Sequence, residues 1–254
     1  MQYVSPIHKK SEEIDKVNYR PVSLLTALPK VFERAMFDQM YEAFRCKLSH
    51  NLSGYLRGHP CCSALLKMTE DWRASLDRRE PVTAVAVDLS KAFDSVFHSL
   101  LLTKLTAYGF SGRALQLMTA CLCERKQRAK LDNTYSQWGT VTTGIPQGSL
   151  LGPLLFNIYM NDLNYFKEGT SLRLYAYDTT AYASDTSAVV LEYIINSDLQ
   201  VVCTWLQHNY LQINATKTQA MDLTNRFHVA VRLFSNRSQM MSKCDKNQNV
   251  AHEA

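Results

Sequence analysis

The sequence predicts an α+β fold, compatible with a split βαβ sheet carrying helices on one face. Two observations carry this prediction. Stretches of strand and helix periodicity alternate in the order strand, helix, helix, strand, helix, hairpin, helix, without an obvious linker or internal repeat. A mostly apolar, β-branched run, Val82 to Val87, is followed far downstream by Leu172 to Ala176 and Ala181 to Ala183, which flank Tyr177-Asp178-Thr179-Thr180 as a tight hairpin. Periodicity leaves the pairing of these strands open.

Taken in order, Tyr19 to Leu25 is a short extended lead-in to an amphipathic helix in which Leu28, Val31, Phe32, Ala35 and Met36 recur at helical spacing. Pro81 opens the apolar strand, and Asp88 follows its end. An apolar helix over 97–107 stops at Gly109, a residue suited to the left-handed C-cap, and Ser111 can cap the next helix, through Cys123. Arg125 to Leu131 and Ser136 to Val141 form two strands around the Asp132-Asn133 turn. The loop Gly144-Ile145-Pro146-Gln147-Gly148 opens onto a helix carrying Leu150 to Leu163. After the hairpin come a helix over 187–208 and short strands near 210–213 and 219–223. Beyond Asn225 the pattern fades into a polar, basic tail, expected to be disordered.

With 254 residues and 29.0 kDa the chain can bury a substantial core in one or two domains. It is 46% hydrophobic and 20% charged. No run approaches the ~18 apolar residues of a bilayer span, and Met1 to Lys10 lacks the apolar segment of a secretory signal. Seven cysteines, an odd count without framework spacing, predict reduced thiols in an intracellular compartment. Cys61-Cys62 and Cys121-x-Cys123 lack a second half at zinc spacing and are expected to be buried or incidental thiols. A net charge of +5 permits a polyanionic partner without requiring one.

Asp88 stands at the end of its strand in Ala86-Val87-Asp88-Leu89-Ser90-Lys91-Ala92-Phe93-Asp94. A buried strand can hold such a carboxylate in place while its oxygens face a cleft, which suits a divalent cation. A carboxylate that merely caps the turn fits the same pattern. Tyr175-Ala176-Tyr177-Asp178 brings a second carboxylate to a hairpin. Two strand-end carboxylates on neighbouring strands are what two-metal phosphoryl transfer requires, the ions lying roughly 3.5–4 Å apart.

Asn18-Tyr19-Arg20-Pro21-Val22-Ser23-Leu24-Leu25, Asp88 to Asp94, Gly144 to Phe156 and Tyr159-Met160-Asn161-Asp162-Leu163 stand in an order and at spacings that closely resemble non-LTR, LINE-type retrotransposon reverse transcriptases. Arg125-x-Gln127, Tyr175 to Thr179 and Leu211-x-x-Asn214-x-x-Lys217-Thr218 extend the resemblance over residues 4–224. It implies reverse-transcriptase fingers and palm, with an antiparallel palm sheet packed on helices. Residues 1–80 would be fingers-like, 81–224 palm with interleaved fingers elements, and 225–254 an unmatched tail. The implied activity is RNA-directed DNA polymerisation in nucleus or cytoplasm, away from membranes. It would use two Mg²⁺ ions, an RNA template, a DNA primer and deoxynucleoside triphosphates. By the same resemblance Asp88 and Asp178 are metal ligands, with the Leu89 carbonyl as a secondary one. Phe93 lies beneath the nucleotide sugar, unless it is a core aromatic. Gln147 and Gly148 contact template and incoming nucleotide, and Lys217 approaches the triphosphate as a general acid, unless it is a solvated lysine. Arg20 and Arg57 are weaker candidates for triphosphate or template contact, and Lys91 and Arg128 are read as solvated charges.

The chain departs from that family at one decisive position. The hairpin of the family reads Tyr/Phe-Ala-Asp-Asp, and here Tyr177 stands where the first aspartate belongs. A phenol carries no charge near neutral pH in water and is a poor ligand for Mg²⁺. Decay of an element copy, a sequence error and adaptation are all compatible with the substitution. The endonuclease and longer thumb of complete elements are not visible in 254 residues, so the chain is expected to be a fragment with an impaired site.

Overall fold

The structure is a computed structural model describing residues 2–9, 12, 14–15, 18–58, 60–123 and 125–224. The tail expected to be disordered lies outside the described residues. The chain runs through β1 (Gln2–His8), β2 (Tyr19–Leu24), α1 (Ala27–Phe44), β3 (Leu52–Ser53), α2 (Cys61–Asp77), β4 (Val82–Val87), β5 (Leu89–Ser90), α3 (His98–Ala107) and α4 (Gly112–Leu122). It continues through β6 (Arg125–Leu131), β7 (Thr134–Tyr135), β8 (Gly139–Val141), α5 (Gly152–Met160), β9 (Ser171–Tyr175), β10 (Asp178–Ser184), α6 (Ala188–His208), β11 (Gln212–Ile213) and β12 (Gln219–Leu223). Contacts divide it into two compact units, the first joining Met1–Leu48 to Phe93–Met160 and the second joining Ser49–Ala92 to the residues from Asn161 on.

The first unit holds a five-stranded sheet in the order β2-β1-β6, with β7 and β8 both on the far edge of β6. β1 escapes the sequence reading because Pro6 interrupts it. The structure accommodates that proline by placing it opposite Pro21, where neither residue needs to donate, and beyond Gln2–Val4, the stretch paired to β6. The single strand expected over Ser136 to Val141 is instead two short pieces, β7 and β8, separated by Ser136–Trp138. α1 buries Met36, Met40, Tyr41 and Phe44, whereas Leu28 and Val31 in its first turns are 80% and 68% exposed. Phe44 meets Tyr108 and Phe110 at the end of α3, where Gly109 adopts the expected positive φ of 99°. Ser111 occupies the N-cap of α4, but its side chain makes no capping bond. α5 is buried almost all round, and burial of each large apolar side chain there contributes ~1.5–3 kcal/mol.

The second unit is built on a sheet in the order β12-β4-β10-β9-β3, antiparallel throughout except for the last pair. α2, which the sequence reading did not find, packs Met68 and Trp72 on Val82, Ala84 and Tyr182. The Tyr182 hydroxyl donates to Asp71 at 2.6 Å, and Arg173 pairs with the same carboxylate at 3.1 Å. α6 packs against β10 and buries Leu191, Ile195, Leu199, Val202 and Leu206. Contrary to expectation, it is long and apolar enough to cross a membrane by length and composition; its buried side accounts for that apolarity as a core helix. Cys61 and Cys62 at the start of α2 are exposed, so of the two expectations for these thiols only the incidental one applies.

Candidate active site

β4 and β10 pair antiparallel, with Val87 opposite Thr179. One step further along that register, Asp88 and Asp178 face one another at the same end of the sheet, as two neighbouring strands require. The hairpin is tighter than expected. Asp178 pairs with Tyr175 as the first residue of β10, and only Ala176 and Tyr177 form the turn. Ala176 has a positive φ of 56°, the backbone twist a two-residue hairpin demands at its first turn position. Burial first, and then the charge of Asp88, push the Asp178 carboxyl above the usual range.

The backbone of Asp88 is held on both sides by a segment 130 residues away. Its N–H donates to the Thr218 hydroxyl at 3.3 Å, and its carbonyl accepts from the Asn214 N–H at 2.8 Å. Thr218 in turn donates to the Asn214 carbonyl at 3.0 Å, while β11 pairs with β5 and so secures Leu89 opposite Ile213. Lys217 lies in this same turn, exposed. Asn214 and Thr218 therefore position Asp88, a role that their polar spacing alone did not reveal. Tyr55, also missed, stands close enough to the hairpin that burial and the Tyr177, Tyr175 and Asp178 groups push its phenol upward. The preceding Gly54 allows that approach: with φ at 84°, a Cβ there would lie 3.0 Å from the Ala176 nitrogen. Arg57, two residues on, is exposed.

The remaining candidates lie in the first unit. Gln147 donates from Nε2 to Asp94 Oδ1 at 3.0 Å, and its carbonyl accepts from the Ser23 N–H of β2 at 2.8 Å. Gly148 takes a φ of 98° against the same strand, 3.4 Å separating its ideal Cβ position from the Ser23 oxygen. Arg20 is exposed on β2 opposite Ile7. Phe93 is half-buried and stacks on Phe156 of α5 with centroids 5.1 Å apart, so one side of the ring is committed to the core. Asp94 and buried His98, whose Nε2 lies 2.8 Å from the Gly144 carbonyl, hold this loop and were not singled out for it beforehand.

No group of three or more His, Cys, Asp or Glu side chains among the described residues is arranged to hold a metal ion. Two carboxylates with a neutral phenol beside them fall short of the donor set of a two-ion centre.

Residues 7–241 match the family described as reverse transcriptase (RNA-dependent DNA polymerase). The chain is 28% identical over 229 residues to the probable RNA-directed DNA polymerase from transposon BS of Drosophila melanogaster, covering 86% of this chain and 25% of that protein. It is 25% identical over 233 residues to the RNA-directed DNA polymerase from mobile element jockey of the same organism, covering 87% and 25%. This chain thus spans about a quarter of the length of these relatives. Among solved structures, apo telomerase from Candida tropicalis truncated from its C-terminal domain superposes with a TM-score of 0.55 at 11% identity, over 78% of this chain and 41% of that one. The mixed sheets and helices have the fingers-and-palm fold of reverse transcriptases. The chain belongs to the reverse transcriptase (RNA-dependent DNA polymerase) family, among the non-LTR, LINE-type retrotransposon enzymes.

Proposed function

We propose that this chain is a reverse-transcriptase domain that keeps the polymerase carboxylate pair and has lost efficient polymerisation at Tyr177. The observation carrying this reading is the juxtaposition of Asp88 and Asp178 on paired strands with Tyr177 in the intervening turn. Reverse transcriptases act with divalent metal ions and bind an RNA template and primer. On this reading residues 81–224 carry the palm with interleaved fingers elements, and 1–80 are fingers-like. Asp88, Asp178 and the Leu89 carbonyl are what remains of the metal-binding groups. Lys217 serves the triphosphate, and Phe93, Gln147, Gly148 and Arg20 serve the nucleotide and template. The substrates of the intact site are deoxynucleoside triphosphates, an RNA template and a DNA primer.

Replacing a ligand carboxylate by a phenol removes a negative charge and a fixed contact, and losses of ~10³-fold or more follow when a main stabiliser of transition-state charge goes. Primer extension by the chain and by its Tyr177→Asp variant, each with Mg²⁺ and with Mn²⁺, tests this. The variant should exceed the parent by ~10³-fold. Equal, robust extension by both would remove Tyr177 from the ligand position.

A further inference from the structure

We propose that the exposed face of the five-stranded sheet in the first unit is a stacking platform for single-stranded nucleic acid. Along β6 the side chains of Lys126, Arg128 and Lys130 share one face, by strand alternation. Register sets Tyr3 of β1 beside Arg128 and Tyr135 of β7 beside Lys130 on that same face. Trp138 comes next to Arg128 one step beyond the Gln127–Gly139 pair. The Arg128 guanidinium, expected to be a solvated charge, instead lies 4.8, 4.3 and 4.6 Å from the centroids of the Tyr3, Tyr135 and Trp138 rings. It also donates to the Tyr3 hydroxyl at 2.9 Å.

This arrangement does something a core cluster would not. The rings remain 38%, 49% and 37% exposed, so the guanidinium braces them without covering them. Aromatic rings already fixed in place lose little freedom when a base stacks on them. Arg128 makes no pairing with a carboxylate among the described residues, and Lys126 and Lys130 on either side of it are exposed. None of the five strands carries an Asp or Glu. Open rings interleaved with uncompensated cations on one flat face match unpaired bases joined by phosphates. Duplex bases, already stacked and paired, cannot use the rings. The inference does not depend on the carboxylate assignment, since it needs no turnover.

Fluorescence anisotropy of short oligouridine, oligothymidine and a duplex of matched length, titrated with the full chain over a range of salt, tests the proposal. Both single strands should bind more tightly than the duplex, with quenching of tryptophan fluorescence that Trp138→Phe diminishes. Lys126→Gln with Lys130→Gln should weaken binding and flatten the log affinity against log salt slope by ~1.4, about 0.7 for each phosphate released. Tyr135→Ala should weaken binding on the order of tenfold, the loss expected for one stacked base. Matching melting temperatures of parent and lysine variant keep the comparison valid even where an aromatic variant fails to fold. An unchanged affinity and slope for the lysine variant, or a duplex bound as tightly as the single strands, would overturn the proposal. The preferred single strand, RNA or DNA, then identifies which of the two this face holds.

Discussion

Asp178 and Asp198 both lie in the second unit, and their surroundings move their carboxyl groups in opposite directions. Burial and then Asp88 raise Asp178. Its folded form therefore binds more protons than the unfolded chain between the ordinary carboxylate range and the raised value, so its contribution to stability falls as pH rises through that window. Asp178→Asn should raise the melting temperature at neutral pH, by under about 1 kcal/mol because Asp178 is open to water and screened. A lower melting temperature would contradict this. For Asp198, burial works against ionisation, but hydrogen bonds from Thr170, Glu168 and Gly169 outweigh it and hold the carboxyl below its usual range. That stabilisation is present above the unfolded carboxylate range and disappears as pH falls through the lowered value. Asp198→Asn strips acceptors from the buried N–H and hydroxyl donors at 2.6–3.2 Å. It should cost about 3 kcal/mol at neutral pH, and the deficit should shrink on acidification in denaturant titrations.

The loop Gly144 to Gly148 shows how an element is held by its neighbours. Gly144 and Ile145 donate their N–H groups to the Val96 and Phe93 carbonyls at 2.7 and 2.9 Å. Just beyond the loop, Glu33 of α1 accepts from the Ser149 hydroxyl and the Leu150 N–H at 2.9 and 2.8 Å. Gly144 has a φ of 87°, and a Cβ there would lie 2.9 Å from the Asp94 Cα and oxygen. Gly144→Ala combines left-handed backbone strain with a backbone clash and should cost ~2 kcal/mol or more in chemical denaturation. A neutral effect would show that the loop does not sit against Asp94. The hairpin differs in kind: Ala176 accepts its positive φ because pairing on both sides of the turn imposes it.

At the scale of the whole chain, the net charge of +5 and the carboxylate-free sheet of the first unit predict nucleic-acid binding driven by phosphate contacts. Affinity should fall steeply with salt and vary little with base sequence. A flat salt dependence, or a strong preference for one short sequence, would count against it.

The amino-acid sequence by itself determined the family, the α+β class, the apolar β4 strand ending at Asp88, the hairpin bearing Asp178 and the substitution at Tyr177, because each is written in contiguous residues. Periodicity also located most long helices, but α2 escaped it. The tertiary structure alone decided what depends on distant segments. Pairing of β4 with β10 brings two carboxylates ninety residues apart into register. The turn around Thr218 clamps the Asp88 backbone, and β1 lies beside β6 so that rings from three strand segments surround Arg128. Local sequence sets which face a side chain takes on its own strand, whereas its neighbours across the sheet follow from register, which long-range packing selects.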